Sequence, residues 1–398
     1  MKIYEIGTCY TSIPATKGAA TEIVVEELTR AFRKNKIPVE LVDKEDINRG
    51  ATELPIIEVK VPALFSGTDV KLGLMHKLNR VFYSLSLAGT LRQVLKKTQD
   101  TVLLHFHNQY NLYFFLKLVP RKLRKRAVVA YTVHSYIWHG LWDDIKETIR
   151  KRYFQEVYCV EHADRVFVLN SLAQNNMVEN LNVDRDRIHM IDNGVNLDVY
   201  APISEEQREE CRKKWNLVGK RVFANIGSVC DRKNQLEAVR MLGPLLRENS
   251  DMVFCYAGGI IEPEYQDAVL EYAREQEIGE QVRYYGELRP GEELNAFYNL
   301  AEAMIFPSKA EGFSLVVLEA MAAGLPVVVR KDLEYALASN CLRYADEKDF
   351  LNIIQESILD PNNRMTLSER SRETVMSSCS WERVAQTYLA ECCGWREE

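Results

Sequence analysis

No run of apolar residues in this 398-residue chain approaches the roughly 20 that a membrane-crossing helix needs. The amino terminus, MKIYEIGTCYTSIP, lacks both the apolar stretch and the small-residue cleavage site of a secretory signal. The chain is therefore expected in the cytoplasm. Cysteine is sparse: nine residues, at 9, 159, 211, 230, 255, 341, 379, 392 and 393, never in CxxC spacing. That pattern argues against a disulfide framework and a structural zinc site, and leaves buried free thiols as the expectation. The fingerprint GxGxxG is missing after the first strand, where Lys17-Gly18-Ala19-Ala20 stands instead, so a nicotinamide-dependent dehydrogenase is disfavoured. Low-complexity stretches, coiled-coil heptads and short repeats are also lacking.

What is there is an ordinary globular composition, 46% hydrophobic and 27% charged, with an uneven distribution of charge. Residues 1–196 carry 28 Lys and Arg against 22 Asp and Glu, whereas the remainder carries 23 against 35. A basic half suits an anionic surface or substrate, and its acidic neighbour argues against a nucleic-acid partner.

Short apolar runs rich in β-branched residues alternate with helix-length segments. Strands are predicted near 2–7, 38–43, 56–61, 101–106, 127–133, 165–169 and 188–191, then near 221–227, 252–257, 281–285, 303–306, 326–330 and 341–344. Helices are predicted at 19–35, 74–97, 109–118 and 143–161, then near 204–215, 233–248, 264–276, 291–300, 314–323 and 348–358. This alternation predicts α/β architecture with parallel sheets covered on both faces. Thirteen strands exceed what one open doubly wound sheet carries, so two sheets are expected. The long segment 134–163 spoils the even spacing of a TIM barrel. The turn Asp192-Asn193-Gly194 marks the boundary, giving domains 1–196 and 197–380. From Trp381, an amphipathic segment with Val384, Ala385, Tyr388 and Leu389 on one face is expected to cross back to the first domain as a last helix, 381–398.

The strongest chemical signal is Glu311-Gly312-Phe313-Ser314-Leu315-Val316-Val-Leu-Glu319, running into Ala-Met-Ala-Ala-Gly324 and Leu-Pro-Val-Val-Val. Glu319 is the one acid on an otherwise apolar helix, with no basic residue at i±3 or i±4. A carboxylate there is costly unless satisfied. Either a distant lysine pairs with it, or vicinal ribose hydroxyls do. Glu311 precedes a helix start at Ser314, whose backbone N–H groups suit anionic oxygens. A second cluster follows the strand Arg221–Gly227: Ser228-Val-Cys-Asp-Arg232-Lys233-Asn234. Two cations at the carboxyl end of a strand suit a diphosphate, or form a solvated loop. In the first half, Gly18 lets backbone approach a ligand, and His134 ends an apolar strand at the same kind of edge. His105 and His107, in His-Phe-His-Asn108, end another.

Together these pieces resemble the family-4 retaining glycosyltransferases, the group 1 glycosyltransferases of the GT-B fold. The match runs nearly end to end. It includes the Gly18 loop, Val-His134, Ala163-Asp164-Arg-Val-Phe-Val, Asp192-Asn193-Gly194-Val195-Asn196, the 227–234 loop, Tyr285-Gly286-Glu-Leu288, the Glu311/Glu319 element and Ser380-Trp381-Glu382. The resemblance implies two Rossmann-like doubly wound domains facing each other across a cleft, the first on the acceptor side and the second binding the donor. It implies a hexosyltransferase that moves a hexose-type sugar from a nucleotide-diphosphate sugar, UDP- or GDP-linked, to an acceptor hydroxyl with retention of configuration, in cell-surface polysaccharide or glycolipid synthesis. Glu319 would hold the ribose hydroxyls and Glu311 hydroxyls of the transferred sugar. Gly18, Gly227, Ser228, Leu288, Gly312, Phe313, Ser314, Leu315 and Val316 would line the donor. Lys233 would neutralise the diphosphate, and His134 would reach the donor sugar from the opposite domain. Lys17, His107 and Asn108 are the acceptor-side candidates. Many relatives carry an Arg where this chain has Ser228, and Arg232 is the expected substitute.

Cations and helix N–H groups aimed at the leaving phosphate would stabilise the transition state, so neither metal nor cofactor is expected. The only Asp-x-Asp triplet, Asp184-Arg-Asp186, precedes a strand rather than ending one, against the metal-dependent GT-A alternative. The apolar segment 109–118 followed by Arg121-Lys-Leu-Arg-Lys-Arg126 suits either a core helix with a solvated loop or peripheral contact with an anionic membrane at its inner face, where a sugar or lipid-linked acceptor would be captured. A GT-B nucleotide-sugar epimerase, an inverting transferase and a non-catalytic nucleotide-sugar-binding protein share the same donor signature.

Overall fold

The computed structural model describes residues 1–14, 20–62, 74–181, 183–333 and 340–393. The chain divides into two compact units, Met1–Gly194 with Trp381–Glu398, and Val195–Ser380. The boundary thus falls two residues ahead of the expected one.

The first unit holds β1 (Lys2–Ile6), β2 (Val39–Lys44), β3 (Ile56–Val59), β4 (Val102–Phe106), β5 (Ala127–Thr132), β6 (Arg165–Val168) and β7 (Ile188–Met190). They pair in parallel in the order β3-β2-β1-β4-β5-β6-β7. The second unit holds β8 (Arg221–Ile226), β9 (Met252–Ala257), β10 (Val282–Tyr284), β11 (Ala303–Phe306), β12 (Val327–Arg330) and β13 (Leu342–Tyr344), ordered β10-β9-β8-β11-β12-β13 and also parallel. Every residue of β4, β5 and β9 is buried. Their sequences, VLLHF, AVVAYT and MVFCYA, are accordingly near-continuous apolar runs, the signature of strands covered on both faces.

In each sheet the winding direction reverses once, between β1 and β4 and between β8 and β11. Such a reversal opens a crevice at the carboxyl ends of the two strands, where open α/β sheets place ligands.

Several helical details differ from expectation, among them a helix Ser171–Asn180 that was not anticipated. The segment 143–161 is two helices, Trp142–Arg152 and Phe154–His162, broken at Tyr153, whose φ of −118° and ψ of 27° leave the helical region. An 18-residue helix, Pro361–Ser378, was not anticipated, because only Ser371 and Val375 of it are buried and no apolar stripe marks it.

The last helix, Trp381–Cys393, belongs to the first unit. It buries Trp381, Val384, Ala385, Tyr388 and Cys392 and packs on the helix Ala20–Lys34, with Lys34 paired to Glu382. Trp381 lies over Gly194 so closely that a Cβ there would come within 2.4 Å of the indole. Among the described residues no helix is long and apolar enough to cross a membrane.

Candidate functional site

At the reversal in the second unit, two loops are sewn together. The loop after β8 turns at Cys230, whose carbonyl accepts from the N–H groups of Lys233 and Asn234. Asn234 is left-handed (φ 58°) and opens the helix Gln235–Glu248. The loop after β11 docks onto it: Lys309 N–H donates to the Arg232 carbonyl at 2.9 Å, and Asn234 Nδ2 donates to the Pro307 carbonyl at 3.3 Å.

This stitching brings Lys233 and Glu311, 78 residues apart, to 2.6 Å between Nζ and Oε1. Arg232 adds a second ion pair to the same oxygen at 3.0 Å and donates to the Ala310 carbonyl at 2.9 Å. The Ser308 hydroxyl supplies a further donor to Glu311. Burial alone would raise the Glu311 carboxyl, but the charges of Lys233 and Arg232 outweigh it and hold the group below its usual value. Burial lowers the Lys233 ammonium, with Glu311 opposing. The three side chains therefore meet at one edge, where the cations rest on Glu311 itself.

The helix Leu315–Ala322 starts after Ser314. The N–H groups of Leu315 and Val316 have no acceptor among the described residues. Phe313 and Ser314 are buried, while Gly312, Leu315 and Val316 are half-buried. One turn further on, Glu319 is buried and accepts from the Tyr298 hydroxyl at 2.9 Å, with the Tyr200 hydroxyl as a second partner. No cation pairs with it among the described residues. Burial pushes its carboxyl up to about 7 against the pull of the two phenols. The distant lysine is thus ruled out there; two tyrosines hold the group.

Glycines shape the shelf beside these side chains. Gly227, Gly258 and Gly286, at the ends of adjacent strands β8, β9 and β10, all have positive φ. A Cβ on Gly258 would lie 2.1 Å from the Gly227 carbonyl oxygen, so the two loops approach as closely as backbone allows. Ser228 and Leu288 are half-buried at this edge. A separate cavity of about 320 Å³ opens at the opposite edge, beside Ala301, Glu302 and Gly324. Its arginines 208, 212 and 364 each face a glutamate, at 205, 209 and 302.

In the first unit, Lys17 and Gly18 lie outside the described residues. At the β1/β4 reversal, Glu5 bonds His105 Nδ1 and His107 Nε2, one through each carboxylate oxygen and both at 2.9 Å. His105 Nε2 meets Thr132 Oγ1 at 2.7 Å, and Thr132 meets the Tyr388 hydroxyl at 3.0 Å. His107 Nδ1 meets His134 Nε2 at 3.0 Å. Glu5, His105 and His107 sit closely enough to hold a metal ion. The 2.9 Å separations are those of hydrogen bonds between the carboxylate and the two rings.

The expected acceptor contact of His107 is corrected by this arrangement: its side chain is wholly buried, with both ring nitrogens bonded. Asn108 is occupied as well, its oxygen capping the helix Gln109–Leu118 at Tyr110 and Asn111. His134, by contrast, is half-buried. Sequence reasoning missed Glu5, Tyr298, Tyr200, Ser308 and Gly258. A lone acid in the strand KIYEI was the available signal for the first.

Residues 21–199 match the family described as Glycosyltransferase Family 4, and residues 207–373 the one described as Glycosyl transferases group 1. A stretch of 242 residues is 26% identical to the D-inositol 3-phosphate glycosyltransferase of Corynebacterium aurimucosum, covering 58% of this chain and 57% of that protein. Another of 180 residues is 28% identical to the serotype-specific mannosyltransferase WbdA of Escherichia coli, covering 44% and 22%. The chain spans about half the length of the curated relatives it matches. The sucrose-phosphate synthase of Thermosynechococcus elongatus superposes with a TM-score of 0.75 at 20% identity, over 98% of this chain and 97% of that one, so the fold is shared. With its two halves matched in turn and its two parallel sheets those of the GT-B fold, this chain belongs to the group 1, family 4 glycosyltransferases.

Proposed function

We propose that the protein is a retaining, metal-independent hexosyltransferase that binds a UDP- or GDP-sugar in its second unit and passes the sugar to an acceptor hydroxyl. The observation that carries this reading is Glu319: a buried carboxylate with phenol partners and no cation, on a helix whose first turn offers backbone N–H groups. Vicinal hydroxyls of a ribose suit the carboxylate and a diphosphate suits the N–H groups. Lys233 and Arg232 supply positive charge for the leaving phosphate. Glu311, held by Lys233, Arg232 and Ser308, is a poor nucleophile. That favours a same-face displacement or a short-lived ion pair over a covalent sugar–enzyme intermediate. The relatives named for glycosyl transfer to an inositol phosphate and for mannosyl transfer support a sugar nucleotide as donor, and a cell-surface glycan or glycolipid as product is part of the proposal.

The first test is a thermal-shift screen against UDP-, GDP-, ADP- and TDP-sugars. A donor at 100 times its Kd should stabilise the native state by about 2.7 kcal/mol, a rise of a few degrees. Anomeric analysis of the product then separates retention from inversion or epimerisation. No shift with any of the four would defeat the donor-site assignment.

Peripheral membrane contact is proposed from the first unit. In the helix Gln109–Leu118, Leu112, Phe115 and Leu116 are buried, so that stretch is chiefly core. Exposed beside it are Leu118 and the basic residues Arg121, Lys122, Lys125 and Arg126. Each cation near an anionic surface contributes about 1 kcal/mol. Reversing the four charges to Glu should abolish co-sedimentation with phosphatidylserine vesicles; sedimentation that persists unchanged would defeat the proposal.

A further inference from the structure

The cavity of about 320 Å³ at the amino ends of β11 and β12 lies wholly within Val195–Ser380. Three arginines line it. Arg208 and Arg212 stand one turn apart on the helix Glu205–Lys214, so they share a face. Arg364 comes from the helix Pro361–Ser378. Two of the three are anchored on backbone. Arg212 Nη1 donates to the Lys220 carbonyl at 2.8 Å, and Arg364 Nη1 to the Ile358 carbonyl at 3.0 Å. These anchors hold the guanidinium forks in place without using them up. The Nη2 groups of all three arginines have no acceptor among the described residues. Arg208 Nε is a buried donor with no partner at all. A donor taken out of water and left unmet is costly, and calls for an acceptor.

The neighbouring carboxylates do not fill that role. Glu205 and Glu209, which face Arg208 and Arg212, lie outside the cavity wall with side chains 70% and 47% exposed. Exposed ion pairs of this kind contribute little and are readily exchanged. Glu302 lines the cavity but is shared between Arg364 and Arg221, the latter outside the wall. Glu369 remains, exposed and beside the hydroxyl of Ser368; neither has a hydrogen-bond partner among the described residues. The cavity is thus cationic on one side and offers free hydrogen-bonding groups on another.

We propose that this cavity is a second ligand site, which takes a small phosphomonoester carrying hydroxyls on its carbon end, such as a polyol or sugar phosphate. A planar carboxylate matches one guanidinium fork, whereas the three terminal oxygens of a phosphate can meet forks arriving from two helices. A volume of about 320 Å³ falls in the range of sites for organic ligands, roughly 300–1,000 Å³, so a bare ion would leave it underfilled. Glu369 and Ser368 suit hydroxyls on the rest of the molecule. Tyr298 is common to this wall and to Glu319, yet the cavity opens at the other edge of the sheet from the 227–234 and 311–316 loops. Nucleotide and phosphomonoester can therefore be held at once. The site does not rest on the transferase reading.

Isothermal titration of the full-length protein with glycerol 3-phosphate and with a hexose 6-phosphate tests the site. At least one of them should bind saturably at one site, with a Kd below about 1 mM. Glycerol and inorganic phosphate, each lacking half of the ligand, should bind at least about tenfold more weakly. Arg208→Ala combined with Arg212→Ala should also weaken binding by about tenfold or more. If that pair fails to fold, Arg208→Gln alone gives the same reading, since its fork is held only by the exposed Glu205. No saturable binding of either phosphomonoester, or an affinity unchanged in the arginine variant, overturns the proposal. Repeated under saturating UDP or GDP, the titration should keep its stoichiometry; competition by either nucleotide would assign the phosphate to the donor loops and overturn the second site. If neither nucleotide binds, the donor reading fails, and the phosphomonoester titration still decides this one.

Discussion

Replacing Lys233 with Ala should lower kcat by about 100- to 1,000-fold, the usual loss when one preorganised group aimed at developing charge is removed. The ammonium sits at 2.6 Å from Glu311, in a side chain only 12% exposed. A cation so placed is weakly screened and does not reorganise during reaction, and its attraction grows as the departing diphosphate gains charge. The loss should therefore fall on kcat more than on KM, which steady-state kinetics with the cognate donor resolves. Glu311→Ala offers the contrast. It removes the competitor for both cations, so the free nucleoside diphosphate should bind at least as well while turnover falls. Lys233→Ala should cost less stability than Lys233→Ala combined with Arg232→Ala, because Arg232 still reaches the same carboxylate oxygen at 3.0 Å. Stripping a buried charge of every partner costs about 3–5 kcal/mol. Full turnover in Lys233→Ala would remove the site from consideration.

Glu319 should make both donor affinity and stability depend on pH, in ways that Glu319→Gln erases. With its carboxyl at about 7 in the folded chain and about 4.5 in the unfolded one, folding binds a proton more tightly. The stabilising contribution is complete below about pH 4.5 and is lost as pH rises through 7. Over that window it amounts to something on the order of 3 kcal/mol. Glu319→Gln should therefore match wild type at low pH and melt higher above pH 7. Donor binding runs the other way. If, as proposed, ribose hydroxyls donate to the ionised form, affinity should fall towards tenfold per unit as pH drops below 7, with proton release seen by calorimetry in buffers of different ionisation enthalpy. A 2′-deoxy nucleotide should show a weaker dependence. Affinity flat from pH 5.5 to 8 would show that this carboxylate does not hold the nucleotide.

The strands were legible because parallel sheets buried on both faces write themselves as apolar runs; MVFCYA admits few other readings. Glu319 was legible for the same reason, as one acid in an apolar helix. Its partner was not. Tyr298 lies 21 residues earlier on a different helix, and only packing brings its hydroxyl to 2.9 Å. The Lys233–Glu311 pair was hidden by the β8/β11 adjacency, which joins residues 78 apart; the sequence assigned each to a ligand instead. The partners of His107, an acceptor-side candidate, were not legible. Positions 105 and 107 share one side by strand alternation, and that side turns towards Glu5, which the sequence shows only as a charge in β1. The helix Pro361–Ser378 escaped because only Ser371 and Val375 of it are buried, too few to write an apolar stripe.

The closing helix gives the two units different histories on the ribosome. Everything in Val195–Ser380 is contiguous and can fold once residue 380 has emerged. The amino-terminal unit, though made before it, waits for the helix Trp381–Cys393: until Trp381 and Tyr388 arrive, Gly194 has no cover and Thr132 no phenol. A nascent chain should thus expose an unfinished amino-terminal face throughout the synthesis of the rest, and be vulnerable there to proteolysis and capture by chaperones.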